Sequence, residues 1–318
     1  MKRAMQLANW TQVTKFILVG FPGSLKLQLS LFTVFLAAYT LTVMENLIVI
    51  VLIWGNIKLH KPMYIFLGNL SFLEIWYISV TVPKMLSGFV TQKIDISFTG
   101  CMAQLYFFVA LACTECVLLS VMAYDRYVAI CSPLRYSAIM NQDLVIRLAA
   151  GSWLSGFSVA AGKILFISRL SYCGPNIINH FFCDISPLLN LACTDLSLAE
   201  LIDFLLAVLI IIGPLSVTIT SYICIISTVL HIPSAKGKQK AFSTCASHLL
   251  VVTIFFAATI FIYVRPRALT SVNANKLVCV AYTILTPLLN PVIYCMRNKE
   301  FKAALRKTIT VPSSRQMG

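Results

Sequence analysis

The chain has 318 residues, of which 59% are hydrophobic and only 11% charged, with a mean hydropathy of +0.86 and a formal net charge of +14. A soluble domain carries about 25% charged residues, so a water-exposed surface is excluded and the composition is that of an integral membrane protein. The basic excess belongs with Lys and Arg in cytosolic loops and with a membrane surface, not with nucleic acid.

The first 26 residues hold one short apolar run, Phe16–Phe21, broken by Pro22 and followed by Lys26. No cleavable signal peptide is predicted. The first long apolar segment, from Leu27, serves as an uncleaved start-transfer helix. Asn9-Trp10-Thr11 is a glycosylation sequon and places Asn9 outside the cell.

Crossing about 30 Å of hydrocarbon takes about 20 residues. Seven stretches qualify: 27–54, 62–87, 98–131, 144–167, 199–230, 240–263 and 273–295. The predicted fold is an all-α membrane protein, a seven-transmembrane helix bundle over 27–295. An extracellular segment, 1–26, precedes it, and a cytoplasmic tail, 296–318, follows it. Charges and turn formers fall between the spans, at Gly55-Asn56, Gln92–Asp95, Pro133–Asn141, Pro233–Lys240 and Arg265–Arg267. The longest connection, 168–198, is rich in Cys, Asn and Pro.

An odd number of spans puts the termini on opposite sides. With the N-terminus outside, fourteen of the 25 Lys and Arg face the cytosol, which has the sign of the positive-inside rule. Cys173, Cys183 and Cys193 then share the long outer loop, and Cys101 opens span three on the same side. Disulfides need that oxidising side; the pairs expected are Cys101–Cys183 and Cys173–Cys193. The tail segment Arg297–Lys307 carries Phe301, Ala304 and Leu305 on one face and bases elsewhere. It reads as a short amphipathic helix on the anionic leaflet.

Span three ends in MAYDRYVAICSPLRY, Met122–Tyr136. The Asp125–Arg126 pair is either a snorkelling anchor at a helix end or a switch that a signalling partner reads. Pro291, in Asn290-Pro291-Val292-Ile293-Tyr294, removes a backbone hydrogen bond and kinks span seven. The kink is either static or the hinge of a motion, and Asn290 has a freed carbonyl or a neighbouring helix to bind.

Four further strings accompany these: PMYIFLGNLSFLE at Pro62–Glu74, HFFCD at His180–Asp184, KAFSTCASHL at Lys240–Leu249 and PLLNPVIYCMRN at Pro287–Asn298. In this order, over nearly the whole chain, the set resembles the vertebrate olfactory receptors, a branch of the rhodopsin-like G-protein-coupled receptors. The resemblance implies a plasma-membrane receptor that binds a small odorant and activates a stimulatory G protein of the olfactory kind, raising cAMP. In such receptors the residue matching Arg126 is held by its Asp neighbour at rest. On activation it meets the G-protein α-subunit and a span-five Tyr, which Tyr222 matches. Tyr127, His248, Asn290, Pro291 and Tyr294 complete the implied coupling set, with Tyr294 moving inward. The run Lys236–Lys240 lies where the family meets its G protein.

Glu74 and Glu115 stand mid-span at positions that related receptors place around a cation. Two ionised carboxylates in hydrocarbon are costly. Either they share a Na⁺ with Asn46 and Asn290 nearby, since hard cations prefer oxygen, or one is protonated. The family usually has Asp where Glu74 stands and Gly where Glu45 stands.

If Glu115 faces the bundle centre, Gln104, Phe108, Leu111 and Ala112 share its face at 100° per residue. The implied ligand set is Gln104, Phe108, Val109, Ala112, Leu206, Ile210, Phe256, Thr259, Ile260, Tyr263, Val280 and Thr283, a mostly apolar pocket with a few hydroxyls. Amine-sensing relatives carry Asp where Phe108 stands, and light-sensing relatives need a mid-span Lys in span seven. Lys276 is near the outer end, so neither an amine nor retinal is expected, and no cofactor beyond Na⁺. His180, Cys183 and Asp184 have metal-ligand chemistry, but the disulfide takes Cys183. A carrier is the alternative that Glu45, Glu74 and Glu115 suggest, though no repeat symmetry accompanies them. No nucleophile motif or intramembrane Asp pair suggests an enzyme.

Overall fold

The computed structural model describes residues 13–20, 23–91, 94–173, 176–263, 272–296 and 299–310. The Asn9 sequon and Arg265–Arg267 lie outside the described residues, as do the side chains of Lys240 and Tyr263. Among the described residues, six helices are long and apolar enough to cross a membrane. They are α1 (Leu25–Gly55), α2 (Pro62–Thr91), α3 (Phe98–Cys131), α5 (Gln142–Ile167), α7 (Ser197–Leu230) and α8 (Ala235–Tyr263). The apolar stretch Val278–Tyr294 of α9 (Val272–Met296) adds a shorter seventh. Short helices α4 (Tyr136–Ile139) and α6 (Ile185–Leu189) sit in connections, and α10 (Lys299–Thr310) follows the bundle.

Helix starts follow the capping rule, in which a side-chain oxygen takes an orphan N–H of the first turn. Ser24 accepts from Leu27, Ser97 from Gly100 and Asn141 from Leu144. Helix α3 is the axis of the bundle: 78% of its apolar stretch is buried, against 22–61% for the other spans. Its tightest neighbour is α5. A Cβ on Gly156 would stand 2.6 Å from the Thr114 backbone nitrogen and 2.7 Å from the Ala110 oxygen. Only a residue without a side chain allows that approach.

Pro291 cannot donate to the carbonyl four residues back, that of Pro287. The orphaned carbonyl is satisfied across the bundle: Asn46 Nδ2 of α1 donates to it at 3.2 Å. The same amide donates to Thr42 O at 3.0 Å. Asn290 therefore serves the other expected role and binds a neighbouring helix.

The bundle matches the expectation, but the chain is not wholly helical. Strands β1 (Lys15–Leu18), β2 (Ile94–Ser97) and β3 (Ile177–Ile178) form a sheet in the order β2-β1-β3. β1 runs antiparallel to β2, with Lys15 opposite Ser97, and parallel to β3, with Ile17 opposite Ile177. Part of the connection expected at Gln92–Asp95 is thus strand, and so is half of the apolar run Phe16–Phe21. Four residues with alternating burial give too short a period to stand out from an apolar background. Phe16 packs on Phe98 and Tyr172, with centroids 6.1 and 5.6 Å away. Both expected disulfides are present at this end, Cys101–Cys183 and Cys173–Cys193, with Cα–Cα distances of 5.5 and 5.7 Å.

At the opposite end, α10 buries Phe301 and Ala304 and half-buries Leu305. Lys61 Nζ meets Glu300 Oε1 at 2.7 Å, and the Tyr64 hydroxyl donates to Oε2 at 3.1 Å. The hydrogen bond from Lys61 holds the Glu300 carboxyl below its ordinary value.

Candidate functional site

Below the disulfide end, α3, α5, α7, α8 and α9 surround a small cavity. Its wall is aliphatic and sulfur-bearing on α3 (Val109, Ala112, Cys113, Cys116) and aliphatic on α7 (Ala207, Ile210, Ile211), with Thr259 and Tyr282 opposite. Ile185 of α6 covers it. One charged side chain reaches in: Lys163 of α5, 6% exposed, with Nζ 2.8 Å from Asp203 Oδ1 and 3.2 Å from Asp203 O. Lys163 is buried and Asp203 half-buried; ionisable groups within membrane spans are costly and mark function by default.

Of the expected ligand set, Val109, Ala112, Ile210 and Thr259 line this cavity. Val280 and Thr283 line a narrow packing gap with Thr81, Met85 and Phe182. The others are placed differently. Gln104 is a strut: its amide donates to Val80 O at 2.9 Å, and its oxygen accepts from Cys183 N at 3.0 Å. Phe108 is packed between Tyr77 and Phe182, with centroids at 5.2 and 4.9 Å. Phe256 is buried edge-on to Phe255, and Leu206 is half-buried beside Gly162 of α5. Ile260 is 36% exposed on the outside of the bundle, because one residue beyond Thr259 is a turn of about 100°. Sequence reasoning missed Lys163 and Asp203. Opposite charges inside two neighbouring apolar spans were the signal.

The polar middle of the bundle lies farther along α3. Glu74 Oε1 accepts a short hydrogen bond from Asn290 Nδ2. Three buried oxygens here have no hydrogen-bond partner: Glu74 Oε2, Glu115 Oε1 and Asn46 Oδ1. Glu74 lies within electrostatic reach of Glu115. Glu45, beside Asn46 in sequence, is only half-buried, with Oε2 likewise unpartnered.

At the far end of α3 the expected pair is formed, with Arg126 Nη2 and Nε both on Asp125 Oδ2. Asp125 Oδ1 accepts from the Tyr136 hydroxyl at 2.7 Å, so this carboxylate, 0% exposed, is held from two sides. Tyr127 is half-buried beside Tyr124, with ring centroids 6.1 Å apart. Tyr222 and Arg126 share no hydrogen bond. Its hydroxyl meets His248 Nδ1 at 2.7 Å, and His248 Nε2 meets Leu119 O at 3.1 Å. A carbonyl only accepts, so Nε2 carries the proton and Nδ1 accepts from Tyr222. His248 thus ties α8 to α3 and α7 at once. Tyr294 is buried with its ring 6.3 Å from His248.

These features define a multi-pass membrane receptor: a seven-helix bundle whose central helix carries a cavity at one end and a charged latch at the other. The sequence profile described as "Olfactory receptor" matches residues 35–311. Human olfactory receptor 6B1 is 62% identical over 98% of this chain and 99% of its own length. Human olfactory receptor 6A2 is 61% identical and rat olfactory receptor 226 is 59% identical, each over 94% of this chain and 92% of its own. The chain belongs to the olfactory receptor family, whose members are G-protein-coupled receptors and not enzymes.

Proposed function

We propose that the cavity beneath the disulfide end binds a small, mostly apolar odorant that carries one hydrogen-bond-accepting oxygen. The observation that carries this reading is Lys163, the one charged side chain in a mostly apolar wall. An ammonium has three donors. Two are directed at Asp203, which leaves a third for a carbonyl, ester or hydroxyl oxygen.

The opposite end of α3 is the output. In the arrangement described, Arg126 is closed on Asp125 and Tyr222 is closed on His248. Activation exchanges these contacts. α8 moves away, His248 releases Leu119 and Tyr222, and Arg126 leaves Asp125 for Tyr222 and a stimulatory, olfactory-type G-protein α-subunit, so that cAMP rises. The odorant drives this only by binding the active arrangement more tightly than the resting one. This requires the N-terminus and the disulfide end outside the plasma membrane and α10 in the cytosol. Buried unpartnered oxygens on Asn46, Glu74 and Glu115 suit a Na⁺ that stabilises the resting bundle.

A cAMP reporter screen with a chemically diverse odorant panel tests the reading, with Arg126→Ala as control. At least one oxygenated odorant is expected to raise cAMP through the native chain and not through Arg126→Ala at matched surface level. A response that survives Arg126→Ala removes the output assignment. Glu115→Gln is expected to abolish the Na⁺ dependence of basal activity, and an unaltered dependence removes the ion.

A further inference from the structure

Part of the Met122–Tyr136 string has no place in the latch: Ser132-Pro133-Leu134-Arg135. Ser or Thr precedes Pro three times in the chain, at Ser132, Ser186 and Thr286. The residue three places on is Arg135 in the first case, and Leu189 and Leu289 in the others. Ser186 lies in α6 at the disulfide end, and Thr286 is 5% exposed within α9. Ser132 alone combines a following Pro, a base at the third place and a position at the charged end of the bundle.

The fold leaves this segment accessible. Ser132 ends α3, with its N–H bonded to Val128 O at 3.0 Å. Its carbonyl accepts from Arg135 N at 3.0 Å and closes the single 3₁₀ turn Pro133–Arg135. The Ser132 hydroxyl makes no capping hydrogen bond to that turn. Pro133, Leu134 and Arg135 are exposed, Leu134 by 98%. Neither the turn nor α4 buries a residue, so little apolar contact opposes local opening. The hold on the segment is polar: the Tyr136 hydroxyl on Asp125 Oδ1 at 2.7 Å.

We infer that Ser132 is a phosphorylation site for a proline-directed serine kinase, and that it is modified when the latch is open. Pro133 has no backbone N–H, so a kinase groove without an acceptor at that place takes Pro and penalises other residues. Arg135 offers a guanidinium fork to an anionic group on the kinase. The Ser132 Oγ attacks the γ-phosphorus of Mg²⁺–ATP. The Oγ–P bond forms, the bond to the bridging oxygen breaks, ADP leaves and the hydroxyl proton passes to the kinase's base. A kinase needs the segment extended, and extending it draws Tyr136 off Asp125. The product carries a charge of about −1.5 to −2. At the C-terminal end of α3 that anion is repelled by the helix's negative pole, so the resting turn does not re-form. Modification therefore records an open latch and prolongs it.

The inference rests on the reading that this end of α3 faces the cytosol, where ATP is. Nanodiscs expose both faces, so a test on purified receptor is independent of orientation, of G protein and of any odorant. Full-length receptor in lipid nanodiscs is incubated with Mg²⁺–ATP and a recombinant proline-directed serine kinase, and phosphate is mapped by peptide mass. One phosphate is expected, at Ser132, and none in Ser132→Ala. Arg135→Ala is expected to slow the reaction about ten-fold, the loss of one charge-assisted contact. Tyr136→Phe and Asp125→Asn weaken the same hold from its two sides, and each is expected to be modified several-fold faster than the native chain. Retention of both disulfides certifies that the variants fold. A native chain without phosphate at Ser132, or Arg135→Ala modified at the native rate, overturns the site. Both latch variants modified at the native rate overturn its dependence on the latch.

Discussion

Tyr136 is the residue that most changes the view of the charged latch. It ends the Met122–Tyr136 string, beyond α3, and its hydroxyl is the second hold on Asp125. Tyr136→Phe removes that hydrogen bond without changing ring volume. Asp125 then competes less well for Arg126, and basal cAMP per surface receptor is expected to rise a few-fold. A basal level at or below that of the native chain counts against the latch. Lys163 and Asp203 give a sharper case. Breaking one partner of a fully buried pair costs about 3–5 kcal/mol, and less where the charge left behind is partly exposed, as at Asp203, while replacing both with apolar residues is often neutral. Lys163→Met is expected to lower the thermal midpoint sharply, and Lys163→Met/Asp203→Leu to restore it. The double variant is still expected to lose potency for oxygenated odorants more than for hydrocarbon-like ones. Equal potency shifts for both classes would free Lys163 from any ligand role. Arg126 was readable from the sequence because its motif is contiguous. The Lys163–Asp203 pair joins residues 40 apart, and helix phase alone does not say that they meet.

Elements follow the same division. The seven spans were legible to within a few residues, because long apolar runs bounded by caps and prolines leave few alternatives. The β1–β2–β3 sheet was not legible, since strands of two to four residues gain their stability from partners far along the chain. Helix contacts are also specified by small residues that carry no pattern. Gly156 is such a position: even a methyl group there meets α3 backbone and not merely a movable side chain. Gly156→Ala is expected to destabilise the bundle by about 1–3 kcal/mol through overpacking, read as a lower thermal midpoint of the purified receptor. Removing the Thr114 side chain as well is expected to recover little. Full recovery would mean that the helices separate more easily than their spacing implies.

At the scale of the molecule, one buried helix joins an apolar cavity to a charged end, and His248 fastens the neighbouring helices to it. Coupling between two such ends is reciprocal. Nucleotide-free G protein is expected to tighten agonist binding by the factor by which agonist tightens G-protein binding, commonly about 5–150-fold. Agonist affinity indifferent to G protein would break the link between cavity and latch. The motifs made the receptor family legible, but only coordinates separate the cavity wall (Val109, Ala112, Ile210, Thr259) from the neighbouring packing residues (Phe108, Phe256).

The small sheet also sets a schedule for synthesis. β1 precedes every span, yet Asn176, which donates to Lys15 O, comes 161 residues later. At about 5–20 residues per second, β1 waits roughly 10–30 s for its second neighbour while four helices enter the membrane. Until then its apolar edge is open to chaperones. Closure of the sheet is therefore a late mark of correct assembly, and a chain that fails to close it offers the quality-control machinery an unpaired strand.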